Sequence, residues 1–169
     1  IKTDPLRFLV AWTVQALWVV LTVGAALAAM TSPGDVALGP LVVIGVVVWL
    51  VGFVIEVVAD AQKRAFRADP ANRDRFITVG LWAWSRHPNY FFEWIVWLAY
   101  PLIALAPGGA DYPLAWLSLA GPAFMFWILT RVTGIPPLEQ VMIASRGDAY
   151  RDYQRRVGAF VPRPPKSVP

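Results

Sequence analysis

Val36–Ile55 reads VALGPLVVIGVVVWLVGFVI, twenty residues without one charged side chain. Twenty residues in an α-helix rise about 30 Å, the thickness of a bilayer's hydrocarbon core. The run therefore reads as a membrane-crossing helix. Phe8–Ala29 is similar, with 22 residues and no charge. So is Tyr112–Thr130, with 19 and none. Tyr90–Ala106 is shorter, 17 residues with one Glu near its start. Four such runs predict an all-α integral membrane protein, because lipid cannot satisfy the free backbone groups of an open sheet. Phe8–Ala29 is too long for the apolar core of a signal peptide and is followed by three more spans.

The composition agrees. Of the 169 residues 57% are hydrophobic and 15% charged, with a mean hydropathy of +0.53. Soluble domains carry roughly a quarter charged residues. With no cysteine, disulfides, thiolate catalysis and Cys-based zinc sites are excluded; a single histidine excludes His-rich metal sites. No metal is expected.

The fifteen Lys and Arg give the orientation. Two precede the first run, six lie between Asp60 and Asn89, and seven follow from Arg131. The loops Met30–Asp35 and Pro107–Asp111 hold none. Positively charged segments stay in the cytosol, so both termini are expected there. This asymmetry accounts for the basic pI of about 9.8 without nucleic acid, which is not an expected partner. The short, turn-rich outer loops make neighbouring helices antiparallel. No internal repeat and no hinge to a second domain are visible. Residues 1–169 read as one membrane domain, and 162–169, PRPPKSVP, as an extended, weakly ordered Pro-rich tail.

Polar groups collect at the cytosolic ends. Glu56, Asp60 and Arg64 are spaced i, i+4, i+8 along one helix face. They form either a paired interfacial stripe or part of a site, since carboxylates at membrane depth are costly and face an interior or a watery cavity. Ser85–Trp94, SRHPNYFFEW, holds the only histidine. Pro88 favours a helix start there, with Asn89 as cap or Pro88 as first helical residue. Asn89 and Glu93 then share a face, while Arg86 and His87 sit just outside. Free N–H groups, the helix dipole and an Arg attract anions. The cluster can hold a long ligand, its anionic part outside and a polar ring near the bilayer edge. It can equally be a helix cap with interfacial Arg and His on lipid heads, and Trp82, Trp84, Trp94 and Trp97 an aromatic belt. Beyond Gly134, Pro136 and Pro137, the segment from Leu138 to Pro165 has a partial helical face and reads as a basic amphipathic helix. It lies on the cytosolic surface, or it forms a lid of Arg and Tyr over a phosphate-bearing cofactor.

GLWAWSRHPNYFFEW, and TGIPPLE followed by SRGDAYRDYQRRVGAFVP, together resemble the steroid 5-alpha-reductase-like membrane family in its bacterial branch. The likeness runs from about Arg7 to Pro165. It implies a multi-span reductase of a bacterial inner membrane that binds NADPH from the cytosol. Such enzymes deliver hydride to an activated double bond of a sterol or other lipid, so a hydrophobic substrate is implied. By motif position the resemblance assigns Asp60, Arg75, Arg86, His87, Asn89, Tyr90 and Glu93 to the cofactor. Among the tail residues it adds Tyr150 and Tyr153. The family's substrate-polarising Glu and Tyr lie in N-terminal helices with no counterpart here, so no catalytic residue is assigned. The chain is expected to be the C-terminal, cofactor-binding part of a longer architecture.

Two other readings compete. Arg-His-Pro-x-Tyr also resembles the isoprenylcysteine carboxyl methyltransferase relatives, which bind S-adenosylmethionine; those tend to have paired acids near the C-terminal helix, where this chain has Glu139 and Gln140. A non-enzymatic membrane scaffold would explain the belts and basic tail but not the carboxylates Glu56, Asp60 and Glu93.

Overall fold

The structure, a computed structural model, describes residues 4–31, 38–106 and 110–167. Among these it is helical, with no strand. Helix α1 spans Pro5–Met30, α2 Pro40–Ala68, α3 Pro88–Ala104, α4 Ala120–Trp127 and α5 Ile135–Arg156. Short 3-10 turns occupy Pro70–Asn72, Gly80–Ala83 and Pro113–Leu119. A π-helical turn, Ile128–Val132, joins α4 to α5.

Among the described residues two helical stretches are long and apolar enough to cross a membrane, Pro40–Ala68 and Pro113–Arg156. Only 17% and 33% of their most apolar windows is buried, so these side chains face outward rather than into a protein core. An apolar exterior of that extent suits a lipid bilayer and not water. In the second stretch the apolar part is 113–130; the charges begin at Arg131.

The described chain divides into two compact units. The first comprises Ile1–Val47 and Trp97–Met125. In it α1 packs on the Pro113–Leu119 turn, and Thr31 Oγ1 lies 3.5 Å from the Tyr112 hydroxyl. Gly45 of α2 meets Ala99, Leu102 and Ile103 of α3, where a Cβ would come within 2.7 Å of a side-chain carbon. Small residues are what let membrane helices approach this closely.

The second unit comprises Val48–Val96 and Phe126–Pro169 and holds nearly all the polar chemistry. Pro88 is the first residue of α3, as its fixed φ favours. The Gly80–Ala83 turn is bolted to α2: Trp82 Nε1 donates to Ala59 O at 3.0 Å and Leu81 N to Gln62 Oε1 at 3.0 Å. Gly80 adopts φ +62, and a Cβ there would sit 2.6 Å from Gln62 Oε1. Gly80→Ala is therefore expected to cost about 1–3 kcal/mol from backbone strain alone, read as a lower melting temperature in detergent. Gly147, at φ 55 and ψ −130, breaks α5 into two pieces. The second piece turns Tyr150 and Tyr153 inward, where with Val157 they form a small core against Phe76, Met142 and Ile143.

The tail is extended, as its proline content predicts. Up to residue 167 it runs as a strap fastened by hydrogen bonds. Ser85 Oγ donates to Phe160 O at 2.8 Å, Arg86 N to Gly158 O at 2.9 Å, Arg163 N to Trp84 O at 2.9 Å and Lys166 N to Arg156 O at 2.9 Å. Phe160 packs edge-on against Phe91 and Phe126. Proline content predicts extension, and these neighbours supply the partners that hold it.

Candidate functional site

The loop before α3 organises the second unit. Ser85 is buried and fastens the strap, which leaves Arg86 and His87 aimed at α5. Arg86 Nε donates to Glu139 Oε1 at 2.6 Å and Nη2 to Glu139 Oε2 at 3.1 Å, a bidentate pair. Its Nη1 donates to the carbonyls of Gln154, at 3.2 Å, and Val157. His87 Nε2 lies 3.2 Å from Glu139 Oε1, and Gln154 Nε2 donates to Oε2 at 2.8 Å. Burial alone would raise the Glu139 carboxyl. Hydrogen bonds from His87 and Arg86, the Arg86 charge and the Gln154 amide outweigh it and hold the group at about 2. Glu139 is thus a fixed anion that ties α5 to the loop before α3.

Beside this knot lies a cleft of ≈ 380 Å³. Lys63, Arg67, Arg73, Arg75, Arg86 and Arg146 contribute to its wall, and no carboxylate among the described residues does. Glu139 neutralises Arg86 from behind. Arg146 reaches Asp74 at 3.5 Å on the exposed rim. Lys63 sits 4.8 Å over the Trp82 ring. Arg67, Arg73 and Arg75 make no ion pair among the described residues. Phe66, Phe76 and Trp82 give the same cleft flat apolar surface. Tyr150 and Tyr153 close its inner end. Burial, with the nearby Glu139 charge, pushes the Tyr150 phenol up to about 12, and burial raises Tyr153 as well. Both stay neutral, and the Tyr153 hydroxyl donates to Trp82 O.

Arg75, Arg86, His87, Tyr150 and Tyr153 thus come together on one cleft. Asp60, Asn89, Tyr90 and Glu93 do not line it. They form a second group where α3 faces α2: Tyr90 is electrostatically coupled to Glu93 and Asp60, and Glu93 to Glu56 and Asp60. His87 joins the groups, its ring stacked on Tyr90 with centroids 5.6 Å apart and planes 6° from parallel. Asn89 Oδ1 is buried and accepts no hydrogen bond. None of Glu56, Asp60 and Glu93 is in an ion pair among the described residues.

Sequence reasoning did not place Arg67, Arg73 or Glu139 among the site residues. Arg73 and Arg75 belong to one NRDRF run whose charge density was legible; that both reach one cleft was not. Glu139 is the first acid after a double proline opening a helix, the one available signal for it.

A helical membrane protein with a basic, aromatic-walled cleft beside half-buried carboxylates is the class these observations define. Residues 1–157 match the family described as "protein of unknown function (DUF1295)", and the chain belongs to that family. It is 30% identical over 156 residues to an uncharacterized protein of Schizosaccharomyces pombe, a match that covers 80% of this chain and 43% of the relative. It is 31% identical over 88 residues to the probable O-methyltransferase ustE of Ustilaginoidea virens, covering 52% of this chain and 30% of that one. The chain therefore spans less than half the length of these relatives. No solved structure matches it.

Proposed function

We propose that the chain is the cofactor-binding part of a membrane reductase that uses NADPH to reduce an activated C=C bond of a sterol or other lipid. One observation carries the reading: a cleft walled by five cationic side chains besides the Glu139-paired Arg86 and, among the described residues, by no acid. Such a wall suits a polyanionic dinucleotide phosphate. It is poorly matched to S-adenosylmethionine, whose sulfonium and ammonium groups call for nearby acids.

In this reading Arg73 and Arg75 neutralise phosphates, while Tyr150 and Tyr153, kept as phenols, offer hydroxyl and ring surface. Asn89 Oδ1, a buried acceptor lacking a donor, is suited to a carboxamide N–H such as the nicotinamide carries. Glu93 and Asp60 hold the adjoining ribose or amide, and Tyr90 with His87 packs against the ring. Bound NADPH supplies the hydride; the chain supplies orientation and charge placement. Arg86 and Glu139 act from behind, fixing the wall. All four apolar runs cross the membrane, and both ends of the chain lie in the cytosol of a bacterial cell.

A methyltransferase is the second reading, favoured by the U. virens relative and by His87-Pro88-Asn89-Tyr90, which fits that group equally well. Thermal unfolding in detergent separates the two, since a ligand specific to the folded state raises the midpoint. NADPH is expected to raise it, NADH less for want of one phosphate, and S-adenosylmethionine not at all. A rise with S-adenosylmethionine alone would reverse the assignment.

A further inference from the structure

The strap creates a second basic hollow, separate from the cleft. Its volume is ≈ 160 Å³, less than half that of the cleft at ≈ 380 Å³. Arg155, Arg156, Arg163 and Lys166 surround it, with Arg86 as its inner wall. Among the described residues only one carboxylate answers these four peripheral cations: Asp152 is bonded to Arg155 at 2.9 Å and to Arg156 at 2.8 Å. Arg163 and Lys166 make no ion pair among the described residues. Their backbone is nonetheless held in place, because their N–H groups donate to Trp84 O and Arg156 O. Arg86 spends its guanidinium on Glu139 and two carbonyls, so it divides hollow from cleft rather than serving a ligand in either.

We propose that this hollow binds the phosphate of an anionic phospholipid headgroup. Converging cations on a backbone held by hydrogen bonds make a phosphate site for which the backbone part of the ordering cost is already met by the fold. A lipid source follows from what flanks it. Trp84, whose carbonyl anchors Arg163, is 50% exposed, and Val161, two residues before Arg163, is 46% exposed. Exposed indoles settle at headgroup depth, and an apolar neighbour suits the start of an acyl chain. The hollow also belongs to the chain's basic side, where anionic lipids of the inner leaflet attract such residues at roughly 1 kcal/mol each.

The test uses the full chain in neutral detergent, titrated with dioleoylphosphatidylglycerol, dioleoylphosphatidylcholine or sodium phosphate. Phosphatidylglycerol in about hundredfold excess over Kd is expected to raise the melting temperature by about 5 °C or more, and phosphatidylcholine to leave it unchanged. Arg163→Gln with Lys166→Gln should abolish that rise. The lipid-free midpoint should hold, because the strap is fastened through backbone groups. Arg163→Lys with Lys166→Arg should keep the rise. An equal rise with phosphatidylcholine, a full rise in the double Gln variant, or an equal rise from phosphate alone would each overturn the lipid assignment. Loss of the NADPH response in the double Gln variant, with the lipid response intact, would give the hollow to the cofactor instead.

Discussion

Glu139→Ala is expected to lower the stability of the second unit by about 3–5 kcal/mol, the usual cost of removing one partner from a buried ion pair. The pair is buried: the Arg86 side chain is 9% exposed and that of Glu139 14%. Its geometry is bidentate, and His87 and Gln154 converge on the same carboxylate. The truncation leaves a guanidinium without countercharge and two further polar groups without an acceptor. Arg86 also carries the Gln154 and Val157 carbonyls, so the end of α5 and the start of the strap loosen with it. A melting curve in detergent, followed by tryptophan fluorescence, should move down by about 10 °C. Glu139→Gln keeps one acceptor oxygen and should fall between. If the Ala variant melts with the wild type, the pair is worth no more than a surface salt bridge and α5 is held by Tyr150, Tyr153 and Val157 alone.

The same carboxylate sets a pH dependence. Its folded value of about 2 lies below the ordinary 4.5, so the folded state binds its proton more weakly than the unfolded chain does. Stability from this group is therefore complete above about pH 4.5 and is lost as pH falls through 2. The span between the two values corresponds to about 3 kcal/mol at most. The difference in melting temperature between wild type and Glu139→Gln should be flat from pH 5 to 8 and shrink below 4.5. A difference that varies across the neutral range would mean another group, not Glu139, controls the contact.

These contacts show what one sequence can disclose and what it withholds. The apolar runs were legible because membrane solvation acts locally: each helix must satisfy its own backbone, and a charge-free run of helical length says so. Pro88 likewise announced its helix start. Arg86 and His87 were legible as a polar cluster, but their partner was not, because Glu139 lies 53 residues from Arg86. Nothing in the spacing points across that distance. Gly147 illustrates a different gap. Its neighbours Ser145, Arg146 and Asp148 read as a helix surface, and only the backbone turn at φ 55 aims Tyr150 and Tyr153 into the core. The strap's attachments were not legible because composition reports chain stiffness, whereas the bonds there involve carbonyls of Trp84, Arg156 and Gly158. The division of the nine sequence-derived site residues into a cleft group and a carboxylate group is tertiary in the same way.

Arg73→Gln with Arg75→Gln should weaken NADPH binding by about 100-fold. Each charge-assisted phosphate contact is worth roughly 1.5–3 kcal/mol, reduced here because both side chains are exposed and screened, and 2.7 kcal/mol is about a factor of 100. Stability should hardly change: the two side chains make no ion pair among the described residues, and it is the Arg73 carbonyl, not its guanidinium, that Arg146 contacts. Salt gives an internal control. Raising ionic strength should weaken wild-type binding steeply and the double variant much less, since the variant has fewer charges to screen. The reductase and methyltransferase readings diverge most here. A cationic sulfonium ligand gains nothing from Arg73 and Arg75, so S-adenosylmethionine affinity would stay level or improve on their removal. Glu93→Gln works in the opposite sense for specificity: it lies in the other group, so it should weaken NADPH binding without altering the salt slope. Loss of affinity in both variants, with the salt slope changed only in the first, is the result a dinucleotide stretched from the basic cleft to Asn89 and Glu93 requires. An unchanged NADPH affinity in the Arg73 and Arg75 variant would remove the cleft from the cofactor's path.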